Sequence, residues 1–230
     1  MNSASIPCMN PRPDQTGEYV WLERHEQVKK LISTGGAKLI FIGDSITHYF
    51  GGEPLAKYVR GGETWEKHYA RRNAVNMGFG CDQTSHMLWR IQHGTVDGIS
   101  PKLAIVLAGV NNLLNDFSPE DTAGGIIAVC SALREKLPSA KILLLGVLPY
   151  GETPGPQREN LKKTNSIISK IADSKTIHFL DFGSKYIGED GKIPAEFMPD
   201  FLHPNDKGYK IFAEAVEPKI AELLEESPIL

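Results

Sequence analysis

Two short runs, Gly43-Asp44-Ser45 and Asp200-Phe201-Leu202-His203, carry the residue types of nucleophilic catalysis near opposite ends of a 230-residue chain. A serine hydroxyl is a weak nucleophile until a base takes its proton. An imidazole does this best when a carboxylate fixes its tautomer and steadies the cation that forms. Asp200 and His203 stand three positions apart, close enough for the first to orient the second. Ser45 lies between an apolar run and a helical stretch, so its backbone N–H falls near a helix N-terminus and can face a developing oxyanion. Two other runs offer further donors: Gly109-Val110-Asn111 through the Asn111 amide, and Gly78-Phe79-Gly80-Cys81-Asp82 through the N–H of Gly80 or Cys81. Taken singly, each run has an ordinary explanation: Asp44 or Ser45 as a helix cap, Asn111 as a turn residue, the glycines as tight turns. His48, on the same short helix as Ser45, is expected to project beside the nucleophile. His178 is expected to be a satisfied core residue, and Glu152 and Arg158 are candidates for substrate contact.

These runs need elements to hold them. Leu39–Ile42, Ala74–Met77, Leu103–Leu107, Ile142–Leu145 and Ile177–Leu180 are short, nearly continuous apolar runs, the pattern of strands covered on both faces. Helical periodicity lies between them, at Trp21–Ile32, Thr84–His93, Pro119–Leu137, Gln157–Asp173 and Asp206–Glu226. Ser118 as N-cap, Pro119 at the first helical position and Glu120-Asp121 in the first turn mark one start clearly. Strands alternating with helices predict a parallel, doubly wound α/β sheet. In such a sheet ligands bind beyond the carboxyl ends of the strands, where all the runs named above fall. Residues 1–18, rich in Pro, Asn and Ser, are expected to form an extended arm, and 19–230 one domain.

Composition narrows the function. Hydrophobic residues make up 41% and charged residues 23%, with a net charge of −3, as in an ordinary globular protein. No basic stripe suits nucleic acid, and no apolar run is long enough for a membrane span. Neither G-x-G-x-x-G nor G-x-x-x-x-G-K-[ST] follows the first strand, which argues against nucleotide binding. Cys8, Cys81 and Cys130 show no paired zinc spacing and are expected to be unbridged thiols. With no leader pattern at Met1, the cytoplasm is the expected compartment, or secretion if a signal peptide has been removed.

In order along the chain, Ser45, the Gly78–Asp82 loop, Gly109-Val110-Asn111 and Asp200-Phe201-Leu202-His203 resemble the four blocks of the SGNH (GDSL-like) hydrolase family. Asp82–Arg90, Gly109–Asn112, Leu148–Pro154 and Asp200–His203 are similar to the family's intracellular platelet-activating-factor acetylhydrolase branch and its bacterial relatives. The likeness runs from about Lys38 to Leu224.

The resemblance implies a flavodoxin-like three-layer α/β/α sandwich with a five-stranded parallel sheet. It also implies a serine esterase working through an acyl-enzyme on a small ester, with no cofactor and no metal. Ser45 would be the nucleophile, His203 the base and then the acid, and Asp200 its orienting carboxylate. The oxyanion would be held by the Ser45 N–H, the Asn111 amide and the N–H of Gly80 or Cys81. Many relatives carry glycine where this chain has Cys81. Here Gly80 would permit the turn and the cysteine side chain would narrow the acyl pocket. An acetylated carbohydrate ranks first as substrate, with a platelet-activating-factor-like or lysophospholipid-like ester as the alternative. A catalytically silent flavodoxin-like binding module is the competing class, against which the four blocks together argue. The look-alikes associate as dimers, so a homodimer is the implied assembly.

Overall fold

A computed structural model of the chain describes residues 2–10 and 19–229. Five strands, β1 (Leu39–Gly43), β2 (Ala74–Gly78), β3 (Leu103–Leu107), β4 (Lys141–Leu145) and β5 (Ile177–Leu180), form one all-parallel sheet in the order β2-β1-β3-β4-β5. This is the flavodoxin-like order, in which the chain reverses direction of winding between β1 and β3. Helices α1 (Trp21–Ile32), α2 (Ser45–His48), α3 (Gly62–His68), α4 (Thr84–Gln92), α5 (Val110–Leu114), α6 (Pro119–Lys136), α7 (Pro156–Ile168) and α8 (Asp206–Leu224) connect or follow the strands.

β1 and β3 are buried along their whole length, as continuous apolarity requires of central strands. β5 departs from the expectation of coverage on both faces: it is an edge strand, and all four of its residues are only half-buried. His178, on β5, is correspondingly not a satisfied core residue, since its buried Nε2 has no hydrogen-bond partner among the described residues. Leu103, Ile105 and Leu107 together with Ile40 and Ile42 lie at the centre of the core, where truncating one to alanine costs about 2–5 kcal/mol.

The beginning of the chain is less extended than its composition suggests. Ser3–Ser5 form one turn of 3-10 helix, capped by the Asn2 side chain accepting from Ala4 N (2.9 Å). This turn docks on the sandwich: Asn2 Nδ2 donates to Asp121 O (2.8 Å), and Thr84 Oγ1 donates to Ala4 O (2.8 Å). Gly125 on α6 makes the approach possible, because a Cβ there would run into the Thr84 side chain and sit 2.8 Å from Ala4 O. The remainder of the expected arm, 11–18, lies outside the described residues.

Candidate active site

The register brings the functional loops to one edge. Gly43, the last residue of β1, is level with Gly78 of β2 and Leu107 of β3, so Ser45, the Gly80–Cys81 turn and Asn111 leave three adjacent strands at the same end. The turn after β1 is tight because Gly43 has no side chain; a Cβ would collide with that of Thr47 and lie 2.8 Å from Leu107 O. Asp44 then caps α2, its Oδ1 accepting from Ile46 N (3.0 Å).

Ser45 Oγ lies 2.8 Å from His203 Nε2, and His203 Nδ1 lies 2.8 Å from Asp200 Oδ2. Asp200 can only accept when ionised, so Nδ1 carries the proton and Nε2 presents its lone pair to the serine hydroxyl. The other carboxylate oxygen, Oδ1, accepts from His203 N (2.7 Å) and Leu202 N (3.1 Å), which closes the loop on itself. Partial burial alone would raise the Asp200 pKa. The His203 and Leu202 amides and the imidazole outweigh that, and the carboxyl is held below its usual range. Asn205 caps α8 directly after this loop, and Tyr209 donates from α8 to Ile46 O (2.6 Å), fastening the histidine-bearing segment to the serine-bearing one. Ser45 is 6% exposed, whereas the Asp200 side chain is 45% exposed, so the hydrogen-bond chain runs from a buried hydroxyl to a half-exposed carboxylate.

The oxyanion candidates differ in the contacts they make. Asn111 Nδ2 donates to Asp82 O (2.9 Å), an anchor that uses one of its two N–H bonds. The Gly80 N–H is already committed to His48 Nδ1 (3.3 Å). Gly80 is not the residue that permits the turn either: Cys81 takes the left-handed conformation, at φ 62°.

Several further residues hold the site in place through contacts distant in the chain. Asp82 and Arg90 form an ion pair (2.8 Å) with no exposure of either side chain. Asp82 also accepts from Trp21 Nε1 (2.7 Å) and Asn10 Nδ2 (3.3 Å), tying α1 and the first residues of the chain to the loop that anchors Asn111. Arg60 approaches Asp200 Oδ2 (3.4 Å) while its guanidinium lies 5.0 Å from the Tyr49 ring centroid. Asp44 is 1% exposed, and its Oδ2 has no partner among the described residues. Burial pushes its carboxyl up to about 7, against the Ile46 amide and with the help of the Asp82 charge. Arg158, a candidate for substrate contact, is instead buried and holds the loop after β4 through Tyr150 O (3.0 Å) and Gly151 O (2.7 Å). Met87 and Leu88 are core residues, and Trp89 packs on Trp21. Among the described residues no group of three or more His, Cys, Asp or Glu could hold a metal ion, and no helix is long and apolar enough to cross a membrane.

A doubly wound parallel sheet with a Ser–His–Asp hydrogen-bond chain at the carboxyl end of its strands has the architecture of a serine hydrolase. The profile of the GDSL-like Lipase/Acylhydrolase family matches residues 41–211, and the chain belongs to that family of ester hydrolases. It is 32% identical over 228 residues to the human platelet-activating factor acetylhydrolase IB subunit alpha2, covering 99% of this chain and 94% of that one. With the human alpha1 subunit the identity is 30% over 227 residues, covering 97% and 94%. Among solved structures, a GDSL-like lipase from Bacteroides thetaiotaomicron superposes with a TM-score of 0.69 at 18% identity, covering 86% of this chain and 96% of the other. An acetylxylan esterase from Geobacillus stearothermophilus gives 0.61 at 18% identity, covering 84% and 96%. These two likenesses establish the shared fold.

Proposed function

We propose that the chain is a serine esterase for short acyl groups, acetyl foremost, and that Ser45, His203 and Asp200 are its catalytic residues. The observation that carries this reading is the unbroken chain Ser45 Oγ to His203 Nε2 and His203 Nδ1 to Asp200 Oδ2, 2.8 Å at each link. Ser45 Oγ attacks the ester carbonyl as its proton passes to His203 Nε2, and Asp200 stabilises the imidazolium. The oxyanion of the tetrahedral adduct is met by the Ser45 N–H, the second N–H of Asn111 Nδ2 and the Cys81 N–H. His203 returns the proton to the departing alkoxide, and water activated by the same imidazole releases the acid. Each oxyanion donor contributes on the order of 10²–10³ in rate.

Ser45 belongs to neither of the cavities of about 460 and 500 Å³, which lie beside α3–α8 and beyond β4–β5 respectively. An open site flanked by the exposed Cys81 side chain suits a short acyl group better than a long chain. For the alcohol, the sequence ranks a sugar first. The near full-length relatives move the weight to an acetyl ester like platelet-activating factor, with the acetylated carbohydrate second. Exposed thiols at Cys8 and Cys81 suit a reducing compartment such as the cytoplasm.

Hydrolysis of p-nitrophenyl acetate and labelling by a fluorophosphonate are both expected to vanish in Ser45→Ala. Equal turnover by wild type and variant would overturn the assignment. Acetate release from platelet-activating factor, acetylated xylo-oligosaccharides and short acyl glycerols ranks the alcohols.

A further inference from the structure

The turn Phe79-Gly80-Cys81-Asp82 closes with Asp82 N donating to Phe79 O (3.2 Å), and Cys81, its third residue, stands at φ 62°. That is a type II turn, whose third position is left-handed and ordinarily glycine. A cysteine is disfavoured there because its β-carbon crowds the backbone at positive φ. The same four residues escape this crowding by rotating their central peptide, the Gly80 C=O with the Cys81 N–H, into the type I arrangement. There the third residue has φ near about −90° and almost any side chain fits. Such a rotation reverses the direction of both the C=O and the N–H.

Tyr19 opposes it. Its hydroxyl donates to Gly80 O at 2.7 Å, and burial pushes the phenol pKa far above its usual value, so the group stays a donor at every working pH. A trans peptide points its C=O and N–H in opposite directions, so anchoring Gly80 O aims the Cys81 N–H away from Tyr19. A donor on the carbonyl also polarises that N–H. The preceding peptide is fixed by His48, whose Nδ1 accepts from Gly80 N (3.3 Å). Burial, followed by the charges of Arg24 and Arg90, lowers the His48 pKa to about 2, so the ring stays neutral and keeps this lone pair. The Tyr19 and His48 rings meet edge to face at 4.8 Å. His48 sits on α2 itself, and Gly78 lets α2 rest against the end of β2, because a Cβ there would collide with His48 N. The clamp is therefore built on the element that carries Ser45.

We propose that Tyr19 is a positioning residue for ester hydrolysis: it holds the Gly80–Cys81 peptide in the type II orientation, so that the Cys81 N–H serves as an oxyanion donor despite the cysteine at a glycine position. This rests on the esterase reading of Ser45. Removing the hydroxyl while keeping the ring, in Tyr19→Phe, is expected to lower kcat on p-nitrophenyl acetate about tenfold with KM nearly unchanged, a fraction of what losing a donor outright costs. In a Cys81→Gly background, where the type II turn is unstrained, the same Tyr19→Phe change is expected to lower kcat less than about threefold, a non-additivity diagnostic of coupled residues. An equal loss in both backgrounds, or no loss in the first, overturns the proposal. Unfolding midpoints of all four proteins show whether folding limits the comparison. If Tyr19→Phe melts near the assay temperature, fluorophosphonate labelling rates in the cold give the same ratio. Residual hydrolysis by Ser45→Ala strikes the esterase reading instead and leaves the Tyr19 ratio to be explained by another nucleophile.

Discussion

Replacing Asp82 by alanine tests how much stability one buried carboxylate supplies beside the Ser45–His203 pair. The substitution leaves the Arg90 guanidinium at zero exposure without its counter-ion, a change that costs about 3–5 kcal/mol when a buried pair loses one partner. Arg90 keeps two long contacts, to Met77 O (3.3 Å) and Gly43 O (3.4 Å), which argues for the lower end of that range. Trp21 Nε1 also loses its acceptor, adding about 1 kcal/mol or more for an unsatisfied buried N–H. A total near 4 kcal/mol is a large share of the 5–15 kcal/mol typical of a folded domain, and at about 2–4 °C per kcal/mol it lowers Tm by about 8–16 °C. Far-UV circular dichroism melts of wild type, Asp82→Ala and Asp82→Asn measure this. Asparagine keeps an acceptor for Trp21, and its loss is expected to be smaller. A fall under about 3 °C for Asp82→Ala, or identical falls for the two variants, would refute the reasoning by showing that water or a rearranged Arg90 replaces the carboxylate at little cost.

Asp44 sets a pH dependence opposite to the usual carboxylate. Its folded pKa, near 7, lies above the ordinary 3.8, so between these values the folded chain holds a proton that the unfolded chain has released, and stability falls as pH rises through that window. Asp44→Asn keeps the cap and removes the slope, so its urea midpoint is expected to gain on wild type from pH 5 to pH 8; parallel profiles would count against it. Asp200 works the other way, its lowered pKa giving a contribution present above the ordinary carboxylate range and lost as pH falls below it. Asp200→Asn is expected to cut kcat by about 10⁴, because the amide stabilises the wrong imidazole tautomer, with little change in KM in steady-state assays. Gly125→Ala is expected to undock the Ser3–Ser5 turn, read as faster proteolysis near Cys8 with the core intact.

The strands and the longer helices are legible in the sequence because a doubly wound sheet buries its central strands on both faces, leaving uninterrupted apolar runs such as Leu103–Leu107. α2, α3 and α5 escape periodicity, since helices of four, seven and five residues are too short to show a stripe. The Ser45, Asp200 and His203 blocks stand out only through their order along the chain. What holds them does not stand out. Trp21 meets Asp82 across 61 positions and Tyr209 meets Ile46 across 163, and no local pattern encodes such pairs. The same holds for Gly80: only the His48 contact shows that its N–H is taken. Arg90 carries the one available hint, a charge on a helix whose neighbours Met87 and Ile91 are fully buried.

The hydrogen bond between Ser45 and His203 spans 158 positions of the chain. A ribosome adding about 5–20 residues per second needs about 8–30 s to pass from one codon to the other. Once β3 has been made at Leu107, β1, β2 and β3 can pair while the Ser45 hydroxyl still lacks its His203 partner. On the proposed catalytic reading, the nascent chain carries its nucleophile well before the base that would activate it. On the same reading the site is complete only once the last loop is made and Tyr209 of α8 can bond to Ile46 O.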